Sequence, residues 1–338
     1  MESLRVIQAG AGGFGLSWLE IIKSLDFLDI VAVVDIEQTN RDRAKKLLGD
    51  EGIHYFDNHL QAFQSTEADI ALIITPPQTH KTLSIDALKN GLHVFLEKPI
   101  AQTLQDAKEL HQAAKGYSQH VMISQNYRWR PEIQAIKKAV DDQIAGPIEY
   151  VEWNFRRATN FGGWRDQYKE IVIEDMSIHH FDLMRYILGK DASTVYAKSM
   201  RPSWSWFQGN PTASVTMSFE EVLVHYFASW VTTGPETSWN GEIKLYGKNG
   251  LIELSGDRPY VTAGDGAKRP LPLVDMAYTD REFSIYEMVS AIQENRRPAT
   301  DLEDNLKSFG IVGAALESVK LSHEIKVADI LSEKESVK

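Results

Sequence analysis

Short aliphatic and β-branched runs alternate with helix-periodic segments over the first 125 or so residues. The runs LRVIQA, IVAVVD, IHYF, ADIALIIT, HVFLE and HVMISQ are short stretches of strand length rich in β-branched residues, the pattern of a parallel sheet covered on both faces. Between them the spacing predicts helices over 15–25, 41–48, 80–89 and 104–115. Regular β-α alternation of this kind builds a doubly wound parallel sheet covered by helices.

After Asn126 the rhythm changes. A helix is predicted over 132–140, a turn at Gly146 and Pro147, a strand over 150–155 and a helix over 175–188. Between 194 and 263 the segments TASVTMSF, VLVHYFASW, EIKLYG and LIELSG follow one another across short turns, which argues for a largely antiparallel open sheet. Two more helices, over 281–294 and 301–321, close the pattern. The fold class expected is therefore α/β, an N-terminal doubly wound parallel sheet plus a C-terminal α/β domain. A chain of 338 residues exceeds the size at which one core stops growing, and the change of pattern divides it into domains at 1–125 and 126–338.

Composition adds exclusions. At 43% hydrophobic and 25% charged, the chain is that of an ordinary globular protein, and no apolar run spans a bilayer, so no membrane partner is expected. A net charge of -11 with no offsetting Lys/Arg cluster repels a phosphate backbone, so no nucleic acid is expected either. The absence of cysteine removes disulfides, thiolate metal sites and a thiol nucleophile together. The first residues, MESLRVIQAG, show no basic segment followed by an apolar one, and a cytoplasmic location is the expectation.

The chemistry starts at AGAGGFG, where Gly10, Gly12 and Gly15 form GxGxxG directly after an apolar strand and before a helix. That context provides a tight turn, close approach of backbone to a pyrophosphate and close helix-to-strand packing, with the anion on the helix N-terminus. Gly13 and Phe14 lie in the same loop and are expected to border the cofactor. Asp35 ends the second strand, where a carboxylate accepts from the adenosine ribose hydroxyls and repels a 2′-phosphate; NAD is expected rather than NADP. Arg41 and Arg43 stand nearby as the only counterweight. Thr75-Pro76-Pro77, followed by His80, ends the fourth strand, and Glu97-Lys98-Pro99 ends the fifth. Both lie on the carboxyl edge, where open α/β sheets bind ligands.

Taken in order, AGAGGFG, VVDIE, TPPQTH, GLHVFLEKPIA, QNYRWRP and EDMSIHHFDLMRYILG resemble the glucose-fructose oxidoreductase and inositol dehydrogenase family, Gfo/Idh/MocA, over nearly the whole chain. The resemblance implies an NAD-dependent dehydrogenase that moves a hydride between the hydroxyl carbon of a sugar or cyclitol and nicotinamide. It implies that Lys98 is the active-site lysine, with Lys98-Pro99 often cis. Asp175 and His179 correspond to the acidic residue and catalytic histidine of a DxxxHxxD motif, completed by Asp182. Asn126 and Arg165 occupy places where relatives approach cofactor or substrate; Tyr127 and Trp164 are the aromatic residues expected at the substrate. The resemblance further implies a homodimer or homotetramer assembled through the C-terminal sheet.

The residues support the same trio. Asp175, His179 and Asp182 stand at i, i+4 and i+7, on roughly one face of a helix, and a carboxylate one turn from a histidine fixes its tautomer and raises its basicity. Either Lys98 or His179 can serve as the base, the other holding the reacting oxygen. Asp182 is expected to be structural. No metal set is expected, since His179 and His180 are adjacent without further ligands. Where relatives often carry a glycine-rich stretch before the DxxxH helix, this chain reads Ile171-Val172-Ile173-Glu174, which changes the walls of the substrate pocket. Two alternatives belong to the same sequence: an NAD-using glycosidase of this family, and a non-catalytic NAD-binding regulator.

Overall fold

The computed structural model describes residues 3–49 and 51–332, with the side chains of Trp164 and Asp166 outside the description. The chain forms two compact units, one of residues 1–126 with 278–306, the other of 127–277 with 307–338.

In the first unit, the apolar runs become six strands: β1 Leu4–Ala9, β2 Leu28–Val34, β3 His54–Phe56, β4 Ile70–Ile73, β5 His93–Leu96 and β6 Val121–Ile123. They lie in the order β3-β2-β1-β4-β5-β6, every pair parallel, which is the doubly wound arrangement. The crossovers carry α1 Gly13–Lys23, α2 Gln38–Leu48, α3 His59–Ser65, α4 Pro77–Lys89 and α5 Leu104–Ala114. Helix α3 departs from the expected pattern. It has only seven residues, too few to show a periodicity, and begins where the Asn58 side chain accepts from Gln61 N at 3.1 Å.

The second unit opens with a 3-10 turn, Asn126–Trp129 at its boundary, then α6 Pro131–Asp141 and β7 Ile148–Arg156. A π-helical turn, Val172–Met176, leads into α7 Ser177–Leu188. There follow β8 Thr194–Met200, β9 Thr212–Phe219, β10 Val222–Ser229, β11 Glu242–Gly247, β12 Gly250–Ser255, β13 Arg258–Ala263 and β14 Lys268–Pro270. With β15 Ile325–Lys326 they form one sheet in the order β14-β13-β12-β11-β7-β10-β9-β8-β15. Only β7 and β10 pair in parallel; the other pairs are antiparallel. Along β9 and β10 burial alternates, so one face packs inward, with Phe181 of α7 edge-on to Tyr226 at 5.3 Å. The other face presents Leu223 at 53% exposure and Tyr150, which stacks on Tyr246 at 4.2 Å.

The chain then returns. Helix α8 Asp280–Gln293 places Ile285, Met288 and Val289 in the same apolar cluster as Val6, Trp18 and Phe95 of the first unit. A division at residue 125 therefore assigns 278–306 to the other side. Periodicity foretells that a helix is amphipathic, not which core it joins.

Candidate functional site

In the first unit the glycine loop is held from behind. Gly10 has φ +96°, and a Cβ there would stand 2.1 Å from Ile74 O; a Cβ at Gly15 would stand 2.3 Å from Gly10 O. Neither position admits a side chain. Gly12 and Gly13 are different: a Cβ at Gly13 meets nothing within 4 Å and one at Gly12 only Asn40, at 4.0 Å. Glycine is thus required there by nothing in the protein itself, and the open space in front of an uncapped helix N-terminus suits a diphosphate. Phe14 borders it at 56% exposure. Gln8, wholly buried in β1, donates from Nε2 to both Gly10 O and Gly15 O at 2.8 Å and so fixes the loop. An uncharged polar residue in the otherwise apolar last half of the strand is the available signal for it.

Asp35 ties the end of β2 to that loop. Its Oδ2 accepts from Ala11 N at 2.7 Å, and Oδ1 accepts from Glu37 N at 2.9 Å and Asn40 Nδ2 at 3.2 Å. A carboxylate has about four acceptor sites, so about one is left for a ribose hydroxyl. Arg41 donates from Nη1 to the carbonyl oxygens of Asp35 and Ile36, at 2.5 and 3.1 Å, and so closes off the strand end. The residues present fit an NAD molecule: the glycine loop for its diphosphate, Asp35 for its adenosine ribose.

The loops after β4 and β5 are joined by His80. Buried at 0% exposure, its Nε2 lies 2.8 Å from Thr75 O and its Nδ1 2.8 Å from Pro99 O. Burial pushes its basicity down while the carbonyls pull it up. His80, expected at the cofactor, is engaged through both nitrogens in fixing these two loops. Pro77 is buried, whereas Thr75 is half-buried and Pro76 exposed. Glu97 is likewise internal: Oε1 accepts from Trp18 Nε1 at 2.9 Å and Oε2 from Lys98 N at 3.0 Å, and burial pushes its carboxyl up. Lys98 is half-buried beside it, and the Lys98-Pro99 peptide is cis. Asn126 donates from Nδ2 to Asp280 Oδ1. Next to that, Arg281 lies over the rings of Phe14 and Trp18, at 5.3 and 5.4 Å, and donates to Ser17 Oγ at 2.8 Å. Sequence reasoning missed Arg281 because α8 was assigned to the other domain.

In the second unit, the chemistry-bearing residues lie along α7 and the turn before it. The predicted helix over 175–188 starts instead with the π turn, so Asp175 sits on a wider turn than His179. Val172 and Ile173, standing where relatives carry glycines, are fully buried, and Ser177 Oγ donates to Val172 O at 2.9 Å. Asp175 Oδ1 accepts from Arg165 Nε at 3.2 Å. Tyr168 is buried nearby; burial first, then the carboxylates of Asp175 and Glu174, push its hydroxyl far up, so it stays protonated. The Trp164 side chain lies outside the described residues. Asp182 is internal: its carboxylate accepts from Arg128 Nε at 2.7 Å, Arg128 Nη2 at 2.6 Å and Ser308 Oγ at 2.8 Å.

The two adjacent histidines separate clearly. His180 is wholly buried; Nε2 donates to Trp239 O at 3.0 Å and Nδ1 accepts from the Tyr226 hydroxyl at 2.8 Å. Its burial pushes it down to about 3. Since the unfolded chain takes up that proton near pH 6.5, the contribution is complete above 6.5 and shrinks as pH falls toward 3, by about 1.4 kcal/mol per pH unit. Urea melts at pH 7.5 and 5.5 should show this loss, and His180→Gln should flatten the slope; an unchanged slope contradicts the assignment. His179, in contrast, stacks on Tyr127 at 4.2 Å with the rings 7° from parallel.

Comparison with known proteins agrees with this geometry. Residues 4–125 match the family model described as an oxidoreductase family with an NAD-binding Rossmann fold, and 133–253 match the GFO/IDH/MocA C-terminal domain. The chain belongs to the Gfo/Idh/MocA family. It is an NAD-binding oxidoreductase of that family. It is 28% identical to a D-apiose dehydrogenase of Rhizobium rhizogenes over 98% of this chain and 99% of that one. It is 26% identical to a myo-inositol 2-dehydrogenase of Thermotoga maritima over 97% of this chain and 100% of the other. In fold it resembles an Agrobacterium radiobacter oxidoreductase solved with NAD+, L-tartaric acid and magnesium, with TM-score 0.88 at 23% identity, covering 97% of this chain and 100% of that one. Among the described residues no helix is long and apolar enough to cross a membrane.

Proposed function

We propose that this Gfo/Idh/MocA protein oxidises a hydroxyl of a sugar or cyclitol with NAD. The observation that carries the reading is the division of labour on α7. His180 is committed through one nitrogen to Tyr226 of β10 and through the other to Trp239 O, while the His179 ring stacks on Tyr127, with Asp175 on the turn before α7 and paired with Arg165. The relatives named for D-apiose and myo-inositol support the polyhydroxylated substrate class.

NAD, when bound, supplies the hydride acceptor. His179 and Lys98 form the acid/base pair: one takes the hydroxyl proton, the other donates a hydrogen bond to the same oxygen and stabilises its developing charge. Asp175, paired with Arg165, keeps a negative charge one turn from His179. Gln8, His80 and Glu97 keep the cofactor loops in place from behind.

The reading is tested by incubating the protein with NAD or NADP and a panel including myo-inositol and D-apiose, following reduced cofactor. NAD should be preferred, because Asp35 repels a 2′-phosphate, and Asp35→Ser should narrow the gap between the two. A wild-type preference for NADP contradicts this role of Asp35.

The sheet face bearing Tyr150, Leu223 and Tyr246 supports a homo-oligomer. Light scattering at micromolar concentration should give a dimer or tetramer, and Leu223→Glu should drive it toward monomer. A monomeric wild type contradicts the assembly.

A further inference from the structure

The turn NYRW and the residue after it, Arg130, make contacts that neither cofactor binding nor the core explains. Tyr127 is 8% exposed and His179 6%, and their rings lie 4.2 Å apart and nearly parallel. The Arg130 guanidinium carbon stands 3.4 Å from the centre of the same tyrosine ring. Two groups that close to one ring centre cannot share a face, so the order is Arg130, Tyr127, His179. Both faces of Tyr127 are therefore taken, so neither is open for the substrate contact expected from sequence.

The outer layer is anchored. Arg130 Nη1 donates to Asn240 Oδ1 at 2.8 Å, and Asn240 Nδ2 donates to Glu132 Oε1 at 2.7 Å and Asp257 Oδ1 at 2.8 Å. Asn240 is 1% exposed, so its amide cannot turn to water. One residue away, Arg128 grips Asp182, three positions beyond His179 on α7. The turn is thus fixed to the helix at two adjacent points, one ionic and one aromatic.

We propose that Arg130 and Tyr127 are positioning residues that set the plane of the His179 ring. An imidazole on a flexible side chain pivots about two bonds, and misplacement of an acid/base group by about 1 Å costs up to about 10²-fold in rate. A flat aromatic face, itself held by a cation on its far side, removes that freedom without occupying a ring nitrogen. This inference rests on the catalytic reading of His179.

The test uses the full-length protein with NAD. The ring C–H resonance of His179, assigned through its loss in His179→Gln, should lie upfield because of the Tyr127 ring current. In Arg130→Met, where both rings remain, the displacement should fall by about half or more, and kcat on myo-inositol or D-apiose should drop about 10-fold with KM for NAD unchanged. Tyr127→Leu should lose more, and Tyr127→Phe should restore most of that loss. A resonance unmoved in Arg130→Met, or a kcat equal to wild type in a folded Tyr127→Leu, overturns the proposal. If neither polyol is turned over, or His179→Gln keeps full activity, the catalytic reading fails instead, and the resonance still decides whether the clamp exists.

Discussion

Replacing His179 by alanine is expected to lower the rate of hydride transfer by about 10²- to 10⁴-fold, the usual loss when a positioned acid/base group is removed. Lys98→Ala should fall in the same range. Affinity for NAD should survive in both, because the glycine loop fixed by Gln8 and the Asp35 carboxylate stay in place. Asp175→Asn should cost less, since its part is to orient His179 rather than to move the proton, and its effect should largely vanish in a background already lacking His179. Single-turnover rates with NAD and the polyol substrate measure this. Wild-type turnover in the His179 or the Lys98 variant removes that residue from the mechanism.

The largest effect on stability is expected at Arg128. Its guanidinium meets Asp182 through two nitrogens, with side-chain exposures of 6% and 1%. Arg128→Met leaves a carboxylate buried with Ser308 as its remaining donor, and breaking a buried pair from one side costs about 3–5 kcal/mol. In a domain of this size, that is a fall in Tm of roughly 10 °C. Arg128→Met combined with Asp182→Leu should recover much of the loss, because no unpaired charge remains. A thermal melt of the single variant within about 1 °C of wild type would show that the pair does not hold the turn to α7.

What could be read in the sequence follows from the range of the forces involved. The central strands β4, β5 and β6 were legible because they are buried almost throughout and so read as short apolar runs, whereas β3 at the sheet edge has an exposed first residue. The glycine loop was legible because Gly10 and Gly15 are required by backbone contacts only a few residues long or one strand away. Asp182, expected to be structural, is buried and accepts from Arg128 and Ser308. Other features depend on contacts between residues far apart. The π turn before α7 contains the buried Val172 and Ile173, and no local spacing marks it. The return of α8 to the first core is set by the shape of the cluster around Trp18 and Phe95. That His80 joins the loops after β4 and β5 through both ring nitrogens depends on a contact between residues 19 positions apart, which its place on the ligand edge does not foretell. The Arg130, Tyr127 and His179 stack brings together residues about 50 positions apart, which no single-sequence pattern encodes.

The central claim is net oxidation of a polyol hydroxyl with NAD, and one measurement addresses it directly. The protein is mixed with NAD and each of myo-inositol, D-apiose and a matching glycoside, and reduced cofactor and released sugar are followed together. The account predicts reduced NAD in proportion to oxidised polyol, with none formed by His179→Ala. Release of sugar from the glycoside without net reduction of NAD, or NAD binding with no turnover of any polyol, would contradict it.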